Sequence, residues 1–367
     1  MQSSAKKMKR KHLVISAVNL VEGGTLTVLR DCLASARRDL SADWDITAIV
    51  HKSDLIGIEG INYIERPEIK KSWFRRILFE YVESKKIAED INPDYWLAMH
   101  DMSPRVGNVR QSVYCHNAMC FYSMSWKEMF YEPKLILFSW LYGLFYRINI
   151  HSNECVIVQQ EWVRNEFFAK FNLKRIVVAH PLYENKSNVL LKKSGVRFFY
   201  PSFPRAFKNF ETLLSAWEII EKTDALDLHL TVTLNGNENR YSRHLVKKFQ
   251  HLQSVDFVGI IPKSEMQEKY KNVDCVIFPS LLETWGLPLS EAKEHGLAII
   301  AADLPYAHEA IGSYDAASFY SAKNANELAE KIIAFSKGEL HFEKIISKDA
   351  QQPFKNNWKD LLSYIVN

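Results

Sequence analysis

The residues with most chemical potential lie in one stretch, FPSLLETWGLPLSEAKEHGLAIIAAD, at 278–303. It carries two carboxylates eight positions apart, at Glu283 and Glu291. The apolar run Cys275–Phe278 before them reads as a buried strand. Pro279–Leu287 reads as a loop at its carboxyl end. Pro288 suits the first helical position, where no amide donor is needed, and Gly296 suits the stop before a returning strand at Leu297–Ala302. The free amides near Trp285–Leu289 then form a helix N-terminus that favours an anion such as a phosphate, with Thr284, Trp285, Gly286 and Leu287 as its surroundings. Carboxylates beside a phosphate are adverse unless they accept hydrogen bonds from sugar hydroxyls. Glu291, expected in the helix's first turn, suits a ribose diol, and Glu283 suits a second sugar. The plainer readings are a helix-dipole acid and a solvated loop acid; the strand, Gly286, Pro288 and Gly296 together favour the ligand.

The rest of the chain must position this stretch. Strand-like and helix-like segments alternate throughout, which predicts an α/β protein with parallel sheets. In the first half, His12–Val18, Asp45–His51, Tyr95–Met99, Ser112–Cys115, Val156–Gln159 and Arg175–Val178 read as strands. Glu22-Gly23-Gly24-Thr25 reads as a loop before a helix at Leu26–Ala36, and Trp73–Ile87 as one amphipathic helix. His180-Pro181 breaks the pattern, so a linker is expected near 180–193. In the second half, Arg197–Tyr200, Leu228–Leu234, Asp256–Val258, Cys275–Phe278 and Ala298–Ala301 read as strands. Glu211–Ile220, Ser264–Lys271 and Pro288–His295 read as helices. Two such sheets predict two Rossmann-like domains facing a cleft, with ligands beyond the carboxyl ends of the strands. The expected division is 1–180, 181–350 and a last segment, 351–367.

The 278–303 segment resembles the E-x7-E signature of retaining GT-B glycosyltransferases, family 4 in the usual classification. Glu283 and Glu291 match its two acids, and Gly286-Leu287-Pro288 matches its inner G-L-P. The resemblance implies the GT-B architecture, with the last helix, near Asn356–Val366, crossing back to the first domain. It implies a hexosyltransferase that uses a nucleoside-diphosphate sugar and needs no separate cofactor. Further landmarks follow from it. In YPSFPRAFKNFE, residues 200–211, Lys208-Asn209 stands for the family's Lys-Gly. Phe203 holds the place of the usual Arg, and Arg205 lies nearer the lysine. Lys208 and Arg205 would stabilise the charge that develops on the leaving diphosphate. Gly23 and Gly24 resemble the Gly-rich turn after the first strand, and His116 the strand-end histidine that contacts donor sugar or acceptor. His100-Asp101 also ends a strand. The implied catalytic set is Glu283, His116 and Lys208. The implied donor-binding set is Arg205, Glu291, Thr284, Trp285, Gly286, Leu287, Gly23 and Gly24. Surface polysaccharide assembly on a lipid-linked acceptor is the implied setting. A sugar-nucleotide 2-epimerase and a non-catalytic nucleotide-binding scaffold are the rivals.

Composition limits the rest. The 367 residues are 47% hydrophobic and 25% charged, enough for two cores at ~100–200 residues per domain. The net charge of +4 gives no reason to expect nucleic acid. Its distribution is uneven: Lys6, Lys7, Lys9, Arg10 and Lys11 open the chain, and Lys70, Lys71, Arg75 and Arg76 flank Trp73 and Phe74. Such mixed surface suits an anionic membrane, and equally an ordinary solvated face. Segment 118–150 is dense in aromatics but interrupted by Lys127, Glu128, Glu132, Lys134 and Arg147. It reads either as a core helix pair or as an interfacial surface. No uninterrupted apolar stretch of about 18 residues predicts a spanning helix. Five unclustered cysteines and a basic start leading straight into a strand predict a cytoplasmic protein, peripheral at most on the inner membrane face. No metal-like spacing occurs, and Asp43-Trp44-Asp45 precedes a strand on its amino side, so no metal is expected.

Overall fold

Short apolar runs without period-2 alternation belong in strands covered on both faces. The computed structural model bears this out over the residues it describes, 10–181, 191–192, 194–223, 227–344 and 350–367. The strands are β1 (Lys11–Ala17), β2 (Trp44–Val50), β3 (Asn62–Glu65), β4 (Tyr95–Ala98), β5 (Arg110–Tyr114), β6 (Cys155–Val158), β7 (Ile176–Ala179), β8 (Arg197–Tyr200), β9 (His229–Val232), β10 (Val255–Phe257), β11 (Cys275–Phe278), β12 (Ala298–Ala302), β13 (Ala317–Tyr320) and β14 (Phe354–Lys355). The helices are α1 (Gly23–Asp39), α2 (Trp73–Leu78), α3 (Ser84–Ile91), α4 (Trp126–Tyr131), α5 (Pro133–Arg147), α6 (Glu161–Phe171), α7 (Phe210–Glu221), α8 (Arg240–Phe249), α9 (Lys263–Lys271), α10 (Leu287–Glu294), α11 (Pro305–Ile311), α12 (Ala325–Ser336) and α13 (Trp358–Val366). Lys6, Lys7, Lys9, the side chains of Lys127 and Lys134, and most of the expected linker lie outside the described residues.

The chain divides into two compact units. Unit 1 comprises residues 1–117, 141–182 and 350–367, and unit 2 comprises 118–140 and 183–349. Residues 118–140, expected from sequence in the N-terminal domain, therefore cluster with unit 2, and the division falls inside α5. The reason is local to unit 2: Tyr131 packs its ring on His244 at 4.7 Å, and Tyr122 packs on Phe207 at 6.2 Å.

Unit 1 holds an eight-stranded sheet in the order β14-β7-β6-β5-β4-β1-β2-β3. Every pairing in it is parallel. Its core joins Leu13, Ile15 and Ala17 of β1 to Leu29, Cys32 and Leu33 of α1 and to Trp358, Leu361, Leu362 and Ile365 of α13. The last helix thus completes this unit's core. The expected single helix over 73–87 is broken: α2 passes into a π-helical turn at Phe79–Glu83, then α3. The Glu80 carbonyl there accepts from the Arg105 amide at 2.8 Å, outside the helical ladder.

Unit 2 holds a six-stranded sheet in the order β10-β9-β8-β11-β12-β13, again parallel throughout. Every residue of β11 and β12 is buried. Phe198 packs edge-on against Trp217 of α7 at 5.5 Å and Phe335 of α12 at 5.7 Å. In this sheet β8 and β11 are neighbours although β9 and β10 come between them in the chain, so a topological switch point lies at their carboxyl ends.

Candidate functional site

The two loops that leave the switch point of unit 2 carry six of the residues marked by sequence, Arg205, Lys208, Glu283, Thr284, Trp285 and Gly286. Residues 201–209 follow β8, and 279–286 follow β11. The Lys208 Nζ lies 2.5 Å from the Glu283 Oε1, with side chains 18% and 14% exposed. A partly desolvated ion pair thus ties the predicted leaving-group cation to the predicted sugar-binding acid.

Backbone bonds fix both loops around this pair. The Leu281 amide donates to the Phe207 carbonyl at 2.7 Å, and the Tyr200 hydroxyl donates to the Lys208 carbonyl at 2.8 Å. Asn209, at φ +57°, takes the left-handed conformation that starts α7. Asparagine tolerates that region. Its buried amide adds what glycine lacks, donating to the Pro279 carbonyl at 3.0 Å and the Ala322 carbonyl at 2.7 Å. Tyr306 closes the other side, its hydroxyl donating to the Ser280 carbonyl at 2.6 Å.

The helix after the second loop starts one residue earlier than expected, at Leu287, with Gly286 as N-cap and Pro288 in second place. Gly286 has φ +83°, and a Cβ there would lie 3.2 Å from Leu289 Cδ1 and 3.3 Å from Phe278 Cε1. Trp285 is buried, its indole N–H donating to Ser290 Oγ at 2.9 Å. Thr284 is half-buried in the same loop. Glu291 is the fifth helical residue, so it stands beyond the first turn where it was expected. The earlier helix start accounts for the shift, and it takes Glu291 away from the helix-dipole role. Its carboxylate accepts from the Tyr270 hydroxyl at 2.7 Å, and Tyr270 stacks on His295 at 5.3 Å. Sequence reading misses Tyr270, which sits in α9 with no motif around it.

Arg205 stands on the same turn as Lys208. Its Nη1 lies 2.8 Å from Glu132 Oε1, and its guanidinium lies over the Phe203 ring at 5.1 Å. In sequence Glu132 reads only as an interruption of the aromatic run.

In unit 1 the strand-end residues form a separate buried polar cluster. Asp101, at φ +73°, accepts from the His116 amide at 2.6 Å and the Asn117 amide at 3.1 Å. It also accepts from the hydroxyls of Tyr142 at 3.2 Å and Tyr146 at 2.9 Å. Burial pushes the His116 imidazole below the usual histidine pKa, with the Asp101 charge opposing. His100 Nδ1 lies 2.9 Å from the fully buried Glu80. Arg76 donates to the His100 carbonyl and is 8% exposed. It therefore leaves the surface cation cluster in which it was expected, because Glu80 and the His100 carbonyl hold it inside. Gly23 and Gly24 form the first turn of α1 rather than a loop before it. Gly23 has φ +61°, and the space where a Cβ would stand is open to 4 Å.

Among the described residues no group of three or more His, Cys, Asp or Glu could hold a metal ion. No helix among them is long and apolar enough to cross a membrane. No disulfide joins the five cysteines, all of which are buried. Asp45 of the D-x-D lies on the amino side of its sheet, paired with Arg10 at 2.9 Å.

The family model "Glycosyl transferases group 1" matches residues 184–352. Among curated proteins no sequence matches the chain. Solved structures resemble it over nearly its whole length. WaaG, a glycosyltransferase involved in lipopolysaccharide biosynthesis, has TM-score 0.65 at 13% identity, over 89% of this chain and 92% of its own. Sucrose-phosphate synthase from Thermosynechococcus elongatus has TM-score 0.62 at 14% identity, over 98% and 95%. Anabaena HepE, solved with UDP and glucose, has TM-score 0.60 at 14% identity, over 98% and 96%. At such identities the likeness is one of fold, and the fold is α/β with two domains, of the GT-B kind.

Proposed function

We propose that this chain, a nucleotide-sugar-dependent glycosyltransferase, transfers a hexose with retention of anomeric configuration to an acceptor hydroxyl, on a saccharide or lipid-linked saccharide of a surface polysaccharide. The observation that carries the reading is the Lys208–Glu283 pair at the unit 2 switch point, four residues before α10 begins. A bound diphosphate takes up the Lys208 ammonium and the first amides of α10, and Arg205 supplies a second cation from the same turn. Glu283, released from Lys208, accepts from hydroxyls of the transferred sugar. Glu291 grips the ribose diol, with Tyr270 orienting its carboxylate. Thr284, Trp285, Gly286 and Leu287 shape the loop around the phosphates. The acceptor proton passes to the leaving phosphate, so no enzyme carboxylate serves as base. With cations and amides carrying the leaving group, activity is expected to survive EDTA. Within unit 1, burial disfavours the charged form of His116 and suits it to hydrogen bonding, and the open space at Gly23 lets backbone come close to a ligand. A polysaccharide setting accords with WaaG, whose own description is lipopolysaccharide biosynthesis.

The test is a screen of nucleoside-diphosphate hexoses with saccharide acceptors, the product's anomeric configuration being read by NMR. Retention in an acceptor-dependent product is expected. Inversion, or a 2-epimerised sugar nucleotide formed without acceptor, would reject the proposal. Lys208→Ala should lower kcat by roughly 10²–10³, as loss of a preorganised electrostatic group does.

A further inference from the structure

Glu132 is nearly inaccessible, its side chain 6% exposed, yet it lies in a segment of aromatic and apolar residues. A buried carboxylate is costly unless both oxygens are satisfied. Here Oε1 takes Arg205 Nη1 at 2.8 Å and Oε2 takes the Ala206 amide at 2.7 Å. Both partners belong to one turn, 73 positions along the chain, which runs on through Ala206–Lys208. The turn's later part is held by Tyr200 at the Lys208 carbonyl and by Leu281 at the Phe207 carbonyl. Its first amide is held by Glu132.

Arg205 is constrained in two directions at once. Phe203 lies beneath its guanidinium at 5.1 Å, and Glu132 holds Nη1. Its side chain remains 44% exposed, so the rest of a fork with five N–H donors is open to a ligand. A guanidinium fixed along one edge loses less rotamer freedom when it binds a planar or tetrahedral anion. The segment bearing Glu132 is itself anchored in unit 2, for the Tyr122 ring packs on Phe207 at 6.2 Å and the Tyr131 ring packs on His244 at 4.7 Å.

We infer that Glu132 is a positioning residue for the donor diphosphate: it holds Arg205 and the Ala206 amide so that Arg205, standing over Phe203, and Lys208 present their charges to the phosphates together. The inference rests on the donor-site reading above. It assigns residues 118–140 a part in donor binding.

Calorimetry on the full chain tests it, with the nucleoside diphosphate that binds best and the matching monophosphate. Glu132→Gln keeps the shape and removes the charge. The ratio of monophosphate to diphosphate Kd should fall about tenfold, the effect of one charge-assisted hydrogen bond. A merely structural role would weaken both ligands alike. The double variant Glu132→Gln/Arg205→Ala should be no worse than Arg205→Ala alone, since coupled residues are not additive. Should Glu132→Gln fail to fold, Phe203→Ala tests the same Arg205 placement and should lower the same ratio. An unchanged ratio, full additivity, or tighter diphosphate binding in Glu132→Gln (the mark of a carboxylate that competes with phosphate) would overturn the inference. If Lys208→Ala leaves diphosphate binding intact, the donor-site reading itself falls, a result separate from that of Glu132→Gln.

Discussion

At the scale of single residues, the proposed donor site consists of charges that already have partners. Lys208 lies on Glu283, Arg205 on Glu132, and Glu291 receives the Tyr270 hydroxyl. Ligand binding is then an exchange of partners, and substitutions should separate by which partner they strand. If Glu291 holds the ribose as proposed, Glu291→Ala removes an acceptor used equally in ground and transition states, and KM for the donor should rise while kcat holds. The loss corresponds to about 1.5–3 kcal/mol for a hydrogen bond to a charged group. Calorimetry with nucleoside diphosphate checks it, and unchanged affinity would remove Glu291 from the ribose. His116 makes a prediction in pH. Its folded pKa lies below the unfolded value of about 6.5, so the unfolded chain binds the proton first as pH falls. Its contribution to stability is whole above that value and declines as pH drops below it. Melting curves between pH 8 and 5 should show a smaller acid-side loss for His116→Asn than for the parent; equal slopes would put the acid sensitivity elsewhere.

At the scale of elements, the β11–α10 connection is the part most tightly specified by local chemistry. Gly286 caps α10 in a left-handed conformation, and its missing side chain leaves room for Leu289 and Phe278. Gly286→Ala should cost about 1–3 kcal/mol from backbone strain, before any displacement of those neighbours. At roughly 2–4 °C per kcal/mol for a domain of this size, differential scanning calorimetry would register it. A Tm equal to the parent's would show that the loop relaxes freely. The α2 region shows the opposite behaviour. Its amphipathic pattern predicts one continuous helix, whereas a π-turn interrupts it and carries Glu80 to the buried His100. The interruption follows from a long-range partner, the Arg105 amide, that no window of local sequence contains.

At the scale of the whole molecule, unit 1 displays exposed apolar side chains near exposed cations in sequence. Trp73, Phe74, Leu78 and Val82 are exposed, Phe74 at 75%, as are Leu141 and Leu144 of α5. Lys70, Lys71 and Arg75 are exposed as well. Trp73 stacks on Phe145 at 5.5 Å, which joins α2 to the part of α5 in the same unit. Cations beside exposed apolar side chains are what an anionic lipid surface binds, and vesicle sedimentation tests whether this face does so. Three cations at about 1 kcal/mol each correspond to roughly 10²-fold in partitioning at low salt. Sedimentation with anionic vesicles should therefore weaken by that order when all three become Gln, and should weaken with salt. Equal binding to neutral and anionic vesicles, indifferent to those substitutions, would reject the docking.

What the sequence determined by itself is whatever depends on neighbours along the chain. Cys275–Phe278 and Phe198–Tyr200 lie in strands because their apolar runs leave no polar face, and Pro288 and Gly296 punctuate α10 within a residue of their expected places. The α/β class was legible for the same reason, and so was the placing of Glu283 in the loop after β11 and of Glu291 in the helix that follows. Tertiary structure alone decided the pairings. The two-residue strand β14 is too short to carry a period, and it exists because β7 offers an edge. Arg76 reads as a surface cation until Glu80 and the His100 carbonyl draw it inside. Residues 118–140 read as part of the first domain until Tyr122 and Tyr131 find unit 2. Glu132 reads as a break in an apolar run until Arg205, 73 positions away, gives its charge a partner. A charge's burial depends on partners that only the fold brings together, and the free energy of leaving it unpaired makes that choice binding.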